Sequence, residues 1–540
     1  MMRVSKPWSP SNGSRRFNRA ILTALLATGL SACFDGGKPV GTIGYVKGFG
    51  GVAVADEPRA VLVARDVLSA GGTAADAMVA MYFTMSVTLP STASLGGGGV
   101  CVVHDKDSKT TEALEFMARP SAAAGQARVP TAVPANVRGF YALHAKYGKM
   151  RWEGLLNEAE KLARLGTPTS RAFANDFNRA AQALSTDPGA RRLFFPDNRP
   201  LAEGQELVQF DLASLIARVR RSPGDFYTGT LARDLVQAVS QAGGSLTPED
   251  LRAVKPEWVA PMQVKVGHDV AHFAPPPAVA GAVAAQLTAA LVGKWADVAA
   301  EERPHLMAEA SARAFSDRAR WMRPDGWPNE QAAGLLNADR VAGLLAGYNP
   351  ARHVAVEANK PADAIQAAGL LVMDGRGNTI ACNVSTNGLF GIGKVAPGTG
   401  MVLAASPGHN TGPAGLGPVV VVNPHVNEAH FAASPSGGIT APTALTQVLL
   451  AAQVEGRKLP DAVAAPRVHH SGNPDTTAIE PAEQGGNPEP LTKRGHEVRA
   501  TPIPARVNAL QCDSGKPGFT TCRAVADPRG AGLSAVVGKD

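Results

Sequence analysis

The sequence predicts one layered α/β body, with strands near both ends of the chain around a mostly helical middle. Strand patterns occur before about residue 120 and again from residue 370, whereas helical periodicity dominates residues 136–347. A hydrophobic content of 45% over 540 residues supports a large core and excludes wholesale disorder. Because the strands flank the helices and no internal repeat is present, we expect one body rather than separable domains.

The first elements are a strand and two helices. Gly51 to Ala55 is typical of a buried strand, and Pro58 suits the first turn of a helix that ends before Gly71-Gly72. Thr73 is the expected N-cap of a second helix, which extends to about Leu89. Since apolar residues surround this helix on nearly every side, we predict a central position for it.

A run of four glycines precedes the next strand. Gly96 to Gly99 leads into a strand from Val100 to His104, and Thr111 to Phe116 is expected to pair back onto it. The Gly-Lys-Ser/Thr that phosphate binding requires is absent after the run. We therefore interpret the glycines as positions of tight backbone packing against a neighbouring strand.

The rest of the chain is predicted as helices followed by strand pairs. Helical periodicity is found in four segments: Trp152–Leu165, Thr230–Ala242, Ala278–Leu291 and Glu302–Trp321. Three strand pairs are expected: Leu370–Met373 with Thr379–Val384, Val419–Val422 with His430–Ala433, and Thr521–Ala526 with Leu533–Val537.

Charge and aromatic content indicate no nucleic-acid partner. The net charge is +7, and no dense block of Lys and Arg concentrates it. Aromatic residues form only 5% of the chain, which disfavours binding of single strands by stacking. We interpret the small basic excess as solvated surface.

Residues 1–33 have the pattern of a secretory signal. Basic residues precede an apolar run from Ala20 to Leu30, and Ser31-Ala32-Cys33 follows it. The run has about half of the roughly 20 apolar residues that span a bilayer. Its end resembles a bacterial lipoprotein signal. This resemblance implies a lipid on Cys33, a tether over residues 34–47 and a periplasmic protein that contacts the outer membrane only through its anchor. An anchor in the inner membrane and a soluble periplasmic protein cleaved nearby are the alternatives.

The other four cysteines are expected to lie in the periplasm, which is an oxidising compartment where disulfides form. Cys512 and Cys522 flank a segment rich in turn-forming residues, so we predict a local disulfide, with free thiols as the alternative. Cys101 and Cys382 each lie inside an apolar run and are expected to be buried, small hydrophobic side chains.

No metal ion or cofactor is predicted. None of the Cys and His residues has the spacing of zinc ligands. His425 and His430 do not have the spacing that would place them on one face of a helix. The motif Ala465–Val468, which precedes His469-His470, contains no carboxylate.

Several motifs, in order along the chain, resemble those of the γ-glutamyltransferases, or glutathione hydrolases. They are Gly71–Ala77, Gly96–Gly99, Phe226–Thr230, Gly243–Leu251, Pro275–Pro277, Glu309-Ala310 with Ala314–Arg318, Ala465–His470 and Asp527–Arg529. The resemblance covers nearly all of the chain after the signal. It implies the N-terminal-nucleophile hydrolase fold, a four-layer αββα sandwich, with a helical large-subunit-like region over residues 48–366 and a small-subunit-like region over 367–540.

The resemblance also implies a mechanism in which the precursor cleaves itself before a threonine. The hydroxyl of that threonine then attacks a γ-glutamyl amide, and its own α-amine acts as the base. In this sequence the strand Leu370–Met373 and the turn after it place Ala367 at the nucleophile position, followed by Ala368. No Ser, Thr or Cys occurs between Ala351 and Asn378. A methyl group can form neither the ester of autocleavage nor an acyl-enzyme.

The resemblance carries the following substrate-pocket candidates onto this chain: Arg119, Ser385, Asn387, Ser406, His409, Gly437 and Gly438. Ser385 and Asn387 match residues that support the nucleophile, and Gly437-Gly438 match an oxyanion-hole pair. Structural roles are the alternative for all four. Ser406 and His409 replace residues that hold the substrate ammonium, and Ala414 and Gly415 replace paired serines.

Two pocket candidates have a simpler explanation. Arg119 is displaced by two positions from the arginine of the family and is otherwise a surface ion-pair former. His409 is either an improvised base or a solvated loop residue.

Three functions remain open. The first is a non-catalytic lipoprotein that keeps the family's shell to bind a small amino-acid or peptide ligand. The second is an active γ-glutamyl transferase or hydrolase whose nucleophile is unrecognised, with Cys382, Ser385 and Thr386 as candidates. The third is a structural envelope protein without a ligand pocket.

Overall fold

Two antiparallel β-sheets lie face to face at the centre of the molecule. A computed structural model describes residues 48–323, 325–359, 366–408, 415–513 and 517–539. The predicted signal with Cys33 and the predicted tether lie outside these residues. The strands, in chain order, are β1 Gly48–Ala55, β2 Gly98–Asp105, β3 Thr110–Phe116, β4 Thr167–Pro168, β5 Glu206–Leu207, β6 Glu257–Val259, β7 Met262–Val266, β8 Asp269–Phe273, β9 Ala368–Asp374, β10 Thr379–Ser385, β11 Val419–Asn423, β12 Glu428–Ser436, β13 Val468–His469, β14 Thr477–Ile479, β15 Val498–Ala500, β16 Arg506–Cys512, β17 Cys522–Val525 and β18 Leu533–Lys539.

The first large sheet has seven strands in the order β18-β1-β9-β10-β2-β3-β6, and the second has six in the order β17-β16-β12-β11-β8-β7. Each sheet therefore combines strands from before and after residue 367. In the first sheet β9 pairs with both β1 and β10, so it lies inside the sheet. Two small sheets, β13-β14-β15 and β4-β5, lie outside this pair.

Helices cover the outer face of each large sheet. The α-helices are Pro58–Ser69, Ala74–Thr88, Pro90–Ala93, Asn136–Tyr147, Trp152–Leu155, Asn157–Leu165, Arg171–Leu184, Pro188–Phe194, Phe210–Arg221, Asp225–Thr228, Thr230–Gln241, Pro248–Ala253, Val279–Trp295, Arg303–Trp321, Ala338–Gly343, Ala441–Gln453, Leu459–Ala464 and Glu489–Thr492. Short 3₁₀ turns span Ala124–Gln126, Pro196–Asn198, Glu330–Gly334, Gly438–Thr440 and Ala482–Gln484.

The core is divided into layers by the alternation of side chains along the strands. In β1, Val52 and Val54 face the second sheet, whereas Ala53 and Ala55 belong to the cluster beneath the helices. Helix Ala74–Thr88, buried along its whole length, packs on the first sheet, and helix Ala441–Gln453 packs on the second. The order is helix, sheet, sheet, helix, which confirms the predicted αββα sandwich.

A local capping motif fixes the start of the central helix, as predicted. The Thr73 hydroxyl accepts a hydrogen bond from Asp76 N at 3.1 Å, and the Asp76 carboxylate accepts one from Thr73 N at 2.9 Å. Asp374, at the end of β9, accepts a further bond from Ala74 N at 3.2 Å. The helix is thereby connected to the strand that follows Ala367.

Two predictions about strands are wrong. The last two strands do not pair with each other, because β17 joins β16 in the second sheet and β18 joins β1 in the first. Strands β6, β7 and β8 lie in the region predicted to be mostly helical. Their alternating patterns are only three to five residues long, and the long helices on either side dominate that stretch of sequence.

The cysteines form two disulfides. Cys512 is bonded to Cys522 across β16 and β17. Cys101 and Cys382 are buried, as predicted, but the expectation that they act as small hydrophobic side chains is wrong, since they are bonded to each other. The physical reason is that β2 and β10 are neighbours and place the two residues directly opposite.

Candidate functional site

Ala367 lies directly before β9, at the N-terminal end of this interior strand of the first large sheet. Its side chain is fully buried and belongs to the apolar cluster between the two sheets, together with Val54 and Leu371. A methyl group offers neither a hydrogen bond nor a nucleophilic atom. At this position the chain therefore contributes packing.

A short relay of hydrogen bonds holds the backbone before Ala367. The Ser385 hydroxyl donates to the Gln366 carbonyl oxygen at 2.7 Å and accepts from Asn387 N at 2.9 Å. The Asn387 amide donates in turn to Ala405 O at 3.0 Å and to Ala118 O at 3.4 Å. Both side chains are buried, so these bonds are shielded from water.

Asn383 is a further site residue, which is not among those predicted from the sequence. Its buried amide nitrogen donates to Ala368 O at 3.2 Å and to Pro435 O at 2.7 Å, and its amide oxygen accepts from Gly417 N at 3.0 Å. It thus joins the start of β9 to the end of β12. The detectable signal was one polar residue inside the otherwise apolar run Ile380–Val384, because a buried amide needs partners.

Gly437 and Gly438 form the turn that follows β12, two residues after Pro435. Gly437 has φ +112° and Gly438 has φ +65°, which are left-handed values that favour glycine. A Cβ atom on Gly437 would also overlap the backbone of Ala505. Backbone conformation and packing are sufficient to explain this glycine pair.

The glycine run before β2 supports the site from the other side. A Cβ on Gly97 would overlap Ser385 O, and one on Gly98 would overlap Ala118 N. The prediction of tight backbone packing is therefore confirmed. This close approach lets β10 end beside the segment that contains Ala118.

The other pocket candidates lie further along these segments. Arg119 is exposed, and its guanidinium lies 5.3 Å from the centre of the Trp327 ring. Ser406 is half-buried, and its backbone N donates to Pro130 O at 3.2 Å. His409 and Ala414 lie outside the described residues.

A cavity of about 240 Å³ opens beside Arg119. Its charged lining contains Arg119 and Lys255 together with Glu115, Asp250 and Glu257. Glu115 Oε1 is buried without a hydrogen-bond partner among the described residues. Burial, and then the charge of Glu257, raise the pKa of Glu115 to about 7, against the opposing effect of Arg119. The cavity therefore presents both signs of charge.

The expectation that His470 has no carboxylate nearby is wrong. Asp475 Oδ1 lies 3.3 Å from His470 Nε2, and the same oxygen lies 3.1 Å from His353 Nε2. The motif before His469-His470 contains no carboxylate, but the turn after it places Asp475 beside His470. His353 comes from a distant part of the chain and contacts the same carboxylate.

The sequence itself matches the profile of a family described as Gamma-glutamyltranspeptidase, over residues 60–407 and 415–537. The chain belongs to this family. The matched segments include Arg119, Ala367 and the Gly437-Gly438 turn, whereas His409 falls between them. The predicted resemblance to the γ-glutamyltransferases is thereby confirmed.

The sequence identity between this chain and two curated family members is low. The chain is 26% identical over 518 residues to the glutathione hydrolase proenzyme of Escherichia coli (strain K12), covering 84% of this chain and 88% of that protein. It is 28% identical over 478 residues to the glutathione hydrolase proenzyme of Bacillus subtilis (strain 168), covering 78% and 80%.

Solved structures share the fold of this γ-glutamyltransferase-family protein. The cephalosporin acylase from Bacillus halodurans superposes with a TM-score of 0.75 at 21% identity, over 91% of this chain and 96% of that chain. This likeness confirms the N-terminal-nucleophile hydrolase fold. Among the described residues, no helix is both long and apolar enough to span a membrane.

Proposed function

We propose that this protein is a non-catalytic member of the γ-glutamyltransferase family, a periplasmic lipoprotein that binds a small amino-acid or peptide ligand. The observation that carries the proposal is Ala367, a buried methyl group at the head of β9, where the family resemblance implies a threonine. Without a hydroxyl at this point the chain can neither cleave itself nor form an acyl-enzyme.

The three candidate replacements for the nucleophile all have bonding partners in the structure. Cys382 is bonded to Cys101 and has no free thiol. Ser385 is 1% exposed, and its hydroxyl donates to Gln366 O. Thr386 is 0% exposed, and its hydroxyl shares its single proton between Gly388 O at 2.6 Å and Ser91 O at 3.1 Å. These contacts favour the non-catalytic function over an active enzyme with a relocated nucleophile.

The cavity beside Arg119 supports a binding function. Its lining contains the cations Arg119 and Lys255 and the acidic residues Glu115, Asp250 and Glu257. It is therefore complementary to a ligand that has both a carboxylate and an ammonium group. Amino acids and small peptides have both groups. Two relatives are named as glutathione hydrolases, and glutathione is a peptide of this kind.

Cleavage is tested by denaturing electrophoresis of the purified protein, with N-terminal sequencing of every band. The samples must be reduced, because the Cys101–Cys382 disulfide joins segments on both sides of Ala367 and would hold a cut chain together. We expect one band with no new N-terminus near Ala367. Two fragments that meet there would contradict the proposal.

Activity is tested in parallel with a chromogenic γ-glutamyl anilide, and the Escherichia coli relative serves as the positive control. We expect product release at the rate of the blank. Turnover comparable to that of the relative, abolished in a Ser385→Ala variant, would instead establish an active enzyme with a different nucleophile.

Ligand binding is tested by calorimetry with glutathione and with L-glutamate. Arg119→Ala should weaken binding roughly tenfold or more, because a charge-assisted hydrogen bond contributes about 1.5–3 kcal/mol. Arg151→Ala is the matched control, since the Arg151 side chain is 88% exposed and does not line this cavity. Equal affinities for both variants would contradict the assignment of this cavity.

The proposed anchor is tested by metabolic labelling with palmitate. We expect label in the wild-type protein and none in a Cys33→Ala variant. If both take up the same amount, the lipoprotein part of the proposal fails while the binding part is unaffected.

A further inference from the structure

A cluster of histidines and carboxylates lies around helix Arg303–Trp321, apart from the site at Ala367. It contains His305, His353, His470, His496, Glu309 and Asp475. One ring nitrogen from each of His353, His470 and His496 lies within 4.8 Å of the others. All but Asp475 are mostly buried, whereas the Asp475 side chain is 43% exposed.

The hydrogen bond between His353 and Glu309 leaves one nitrogen of the ring directed at Asp475. His353 Nδ1 donates to Glu309 Oε1 at 2.6 Å, which leaves Nε2 as the ring nitrogen that can bind a metal ion. That nitrogen lies 3.1 Å from Asp475 Oδ1. Two atoms with lone pairs at this distance share a cation, either a proton on Nε2 or a metal ion bound to both atoms.

His470 faces the same oxygen from the other side. Its Nε2 is buried, lies 3.3 Å from Asp475 Oδ1 and has no hydrogen-bond partner among the described residues. Adjacent ligand atoms around a tetrahedral zinc ion are about 3.3–3.6 Å apart, given zinc–nitrogen and zinc–oxygen bonds of about 2.0–2.2 Å. The 3.3 Å separation of His470 Nε2 from Asp475 Oδ1 matches this spacing, and the 3.1 Å separation of His353 Nε2 from the same oxygen is slightly shorter.

We propose that His353, His470 and Asp475 form a binding site for a divalent first-row transition metal ion such as Zn²⁺. Two imidazoles and one carboxylate are a donor set that suits such ions. Glu309 holds the His353 ring in its ligating tautomer, as an outer carboxylate does in many metal sites. The exposed Asp475 provides the entry path and leaves the remaining coordination positions to water.

The second group of possible ligands, His305, Glu309 and His496, is accounted for without a metal. His305 Nε2 donates to Asn349 O at 2.8 Å, so its Nδ1 accepts from His496 Nε2 at 2.7 Å. His496 Nδ1 then accepts from the Thr477 hydroxyl at 2.9 Å. All four ring nitrogens are satisfied, which restricts the proposed site to the His353 side of the cluster.

Ligation changes one hydrogen bond. His470 Nδ1 accepts from Gly472 N at 2.9 Å, which keeps the proton of the neutral ring on Nε2. A metal at Nε2 moves that proton to Nδ1 and releases the Gly472 N–H. We therefore expect the Gly472 amide to exchange with solvent faster in the metal-bound protein, a local change that a metal bound elsewhere would not cause.

The proposed ion would also join the two regions of the chain. His353 precedes Ala367, whereas His470 and Asp475 follow it. An ion that binds only the folded protein stabilises it in proportion to its occupancy, so added Zn²⁺ should raise the melting temperature. This inference does not depend on the proposed ligand-binding function, because neither the cavity nor Ala367 takes part.

The test uses the full chain, purified without a histidine tag and stripped with a chelator. We expect calorimetry with Zn²⁺ to give one equivalent per chain, and Co²⁺ to give visible absorption bands that nitrogen and oxygen ligands produce. His353→Gln and Asp475→Asn should each weaken zinc binding at least tenfold. His425→Gln is the matched control, because His425 is exposed and outside the cluster.

Three results would overturn the proposal. They are an absence of stoichiometric zinc binding by the wild-type chain, binding by Asp475→Asn at wild-type affinity, or an equal loss of affinity in His425→Gln. Should His353→Gln fail to fold, Asp475→Asn decides the matter, because that exposed side chain can be replaced without disturbing the core.

Discussion

Ser385 Oγ lies 2.7 Å from the carbonyl oxygen of Gln366 and holds the peptide that leads into Ala367. Because both groups are buried, Ser385→Ala leaves the carbonyl oxygen and Asn387 N without their partner. We expect the free energy of unfolding to fall by about 1–3 kcal/mol, as for other buried polar groups deprived of a partner. Urea denaturation followed by circular dichroism measures the change.

The control for Ser385 is Ser185, whose hydroxyl also donates to a carbonyl, Gln182 O, at 2.7 Å but near the surface. Water replaces the lost partner there, so Ser185→Ala should change the free energy of unfolding by less than about 0.5 kcal/mol. Equal losses in the two variants would show that burial at the Ala367 site has no special role.

The Cys101–Cys382 disulfide should stabilise the fold more than the Cys512–Cys522 disulfide does. The first closes a loop with a sequence separation of 281, the second one of only 10. A longer closed loop removes more entropy from the unfolded chain, and disulfides typically contribute about 2–4 kcal/mol. We expect Cys101→Ala/Cys382→Ala to lower the melting temperature more than Cys512→Ala/Cys522→Ala under non-reducing conditions. The reverse order would contradict the prediction.

Glu115 should make the protein less stable as the pH rises towards neutrality. Its pKa is raised from 4.5 to about 7, so between these values the folded chain keeps a proton that the unfolded chain has released. The free energy of unfolding therefore decreases over this interval. Glu115→Gln removes the dependence and should be the more stable protein at pH 8, with little difference at pH 4.

Urea denaturation at several pH values between 4 and 8 measures the effect of Glu115. The control is Glu483→Gln, because Glu483 is exposed. A Glu115→Gln variant whose stability follows that of the wild-type protein at every pH would show that this carboxyl group titrates normally.

Features of the fold that depend on neighbouring residues could be predicted from the sequence. The capping box of Thr73 and Asp76 involves residues three positions apart, and the hairpin of β9 and β10 closes through a short turn. The Cys101–Cys382 disulfide could not be predicted, because it depends on β2 lying beside β10. That order of strands is a property of the whole sheet, and no local pattern encodes it.

The candidate site was predictable only in part, for the same reason. Ser385 and Asn387 were found because the family resemblance carried them over by position. Asn383 contacts Ala368, Pro435 and Gly417, which come together only in the folded chain. The contact between His353 and Asp475 likewise joins residues more than a hundred positions apart.

Two motifs that carried the family resemblance meet in a buried ion pair. Arg467 Nη2 lies 2.5 Å from Asp527 Oδ2, and both side chains are 1% exposed. Asp527 also accepts from Val507 N at 2.7 Å, so the pair fixes the start of β16. Arg467→Met leaves a buried carboxylate without its main partner and should cost about 3–5 kcal/mol in the free energy of unfolding.

A double-mutant cycle separates this ion pair from general loss of packing. Arg467→Met combined with Asp527→Asn should cost less than the sum of the single changes, because the second change removes the charge that the first leaves unpaired. Arg499→Met is the surface control and should cost less than about 0.5 kcal/mol, since Arg499 is exposed. If the losses in the free energy of unfolding caused by Arg467→Met and Asp527→Asn simply add, the two residues act independently. The ion pair would then not explain why both motifs resemble those of the family.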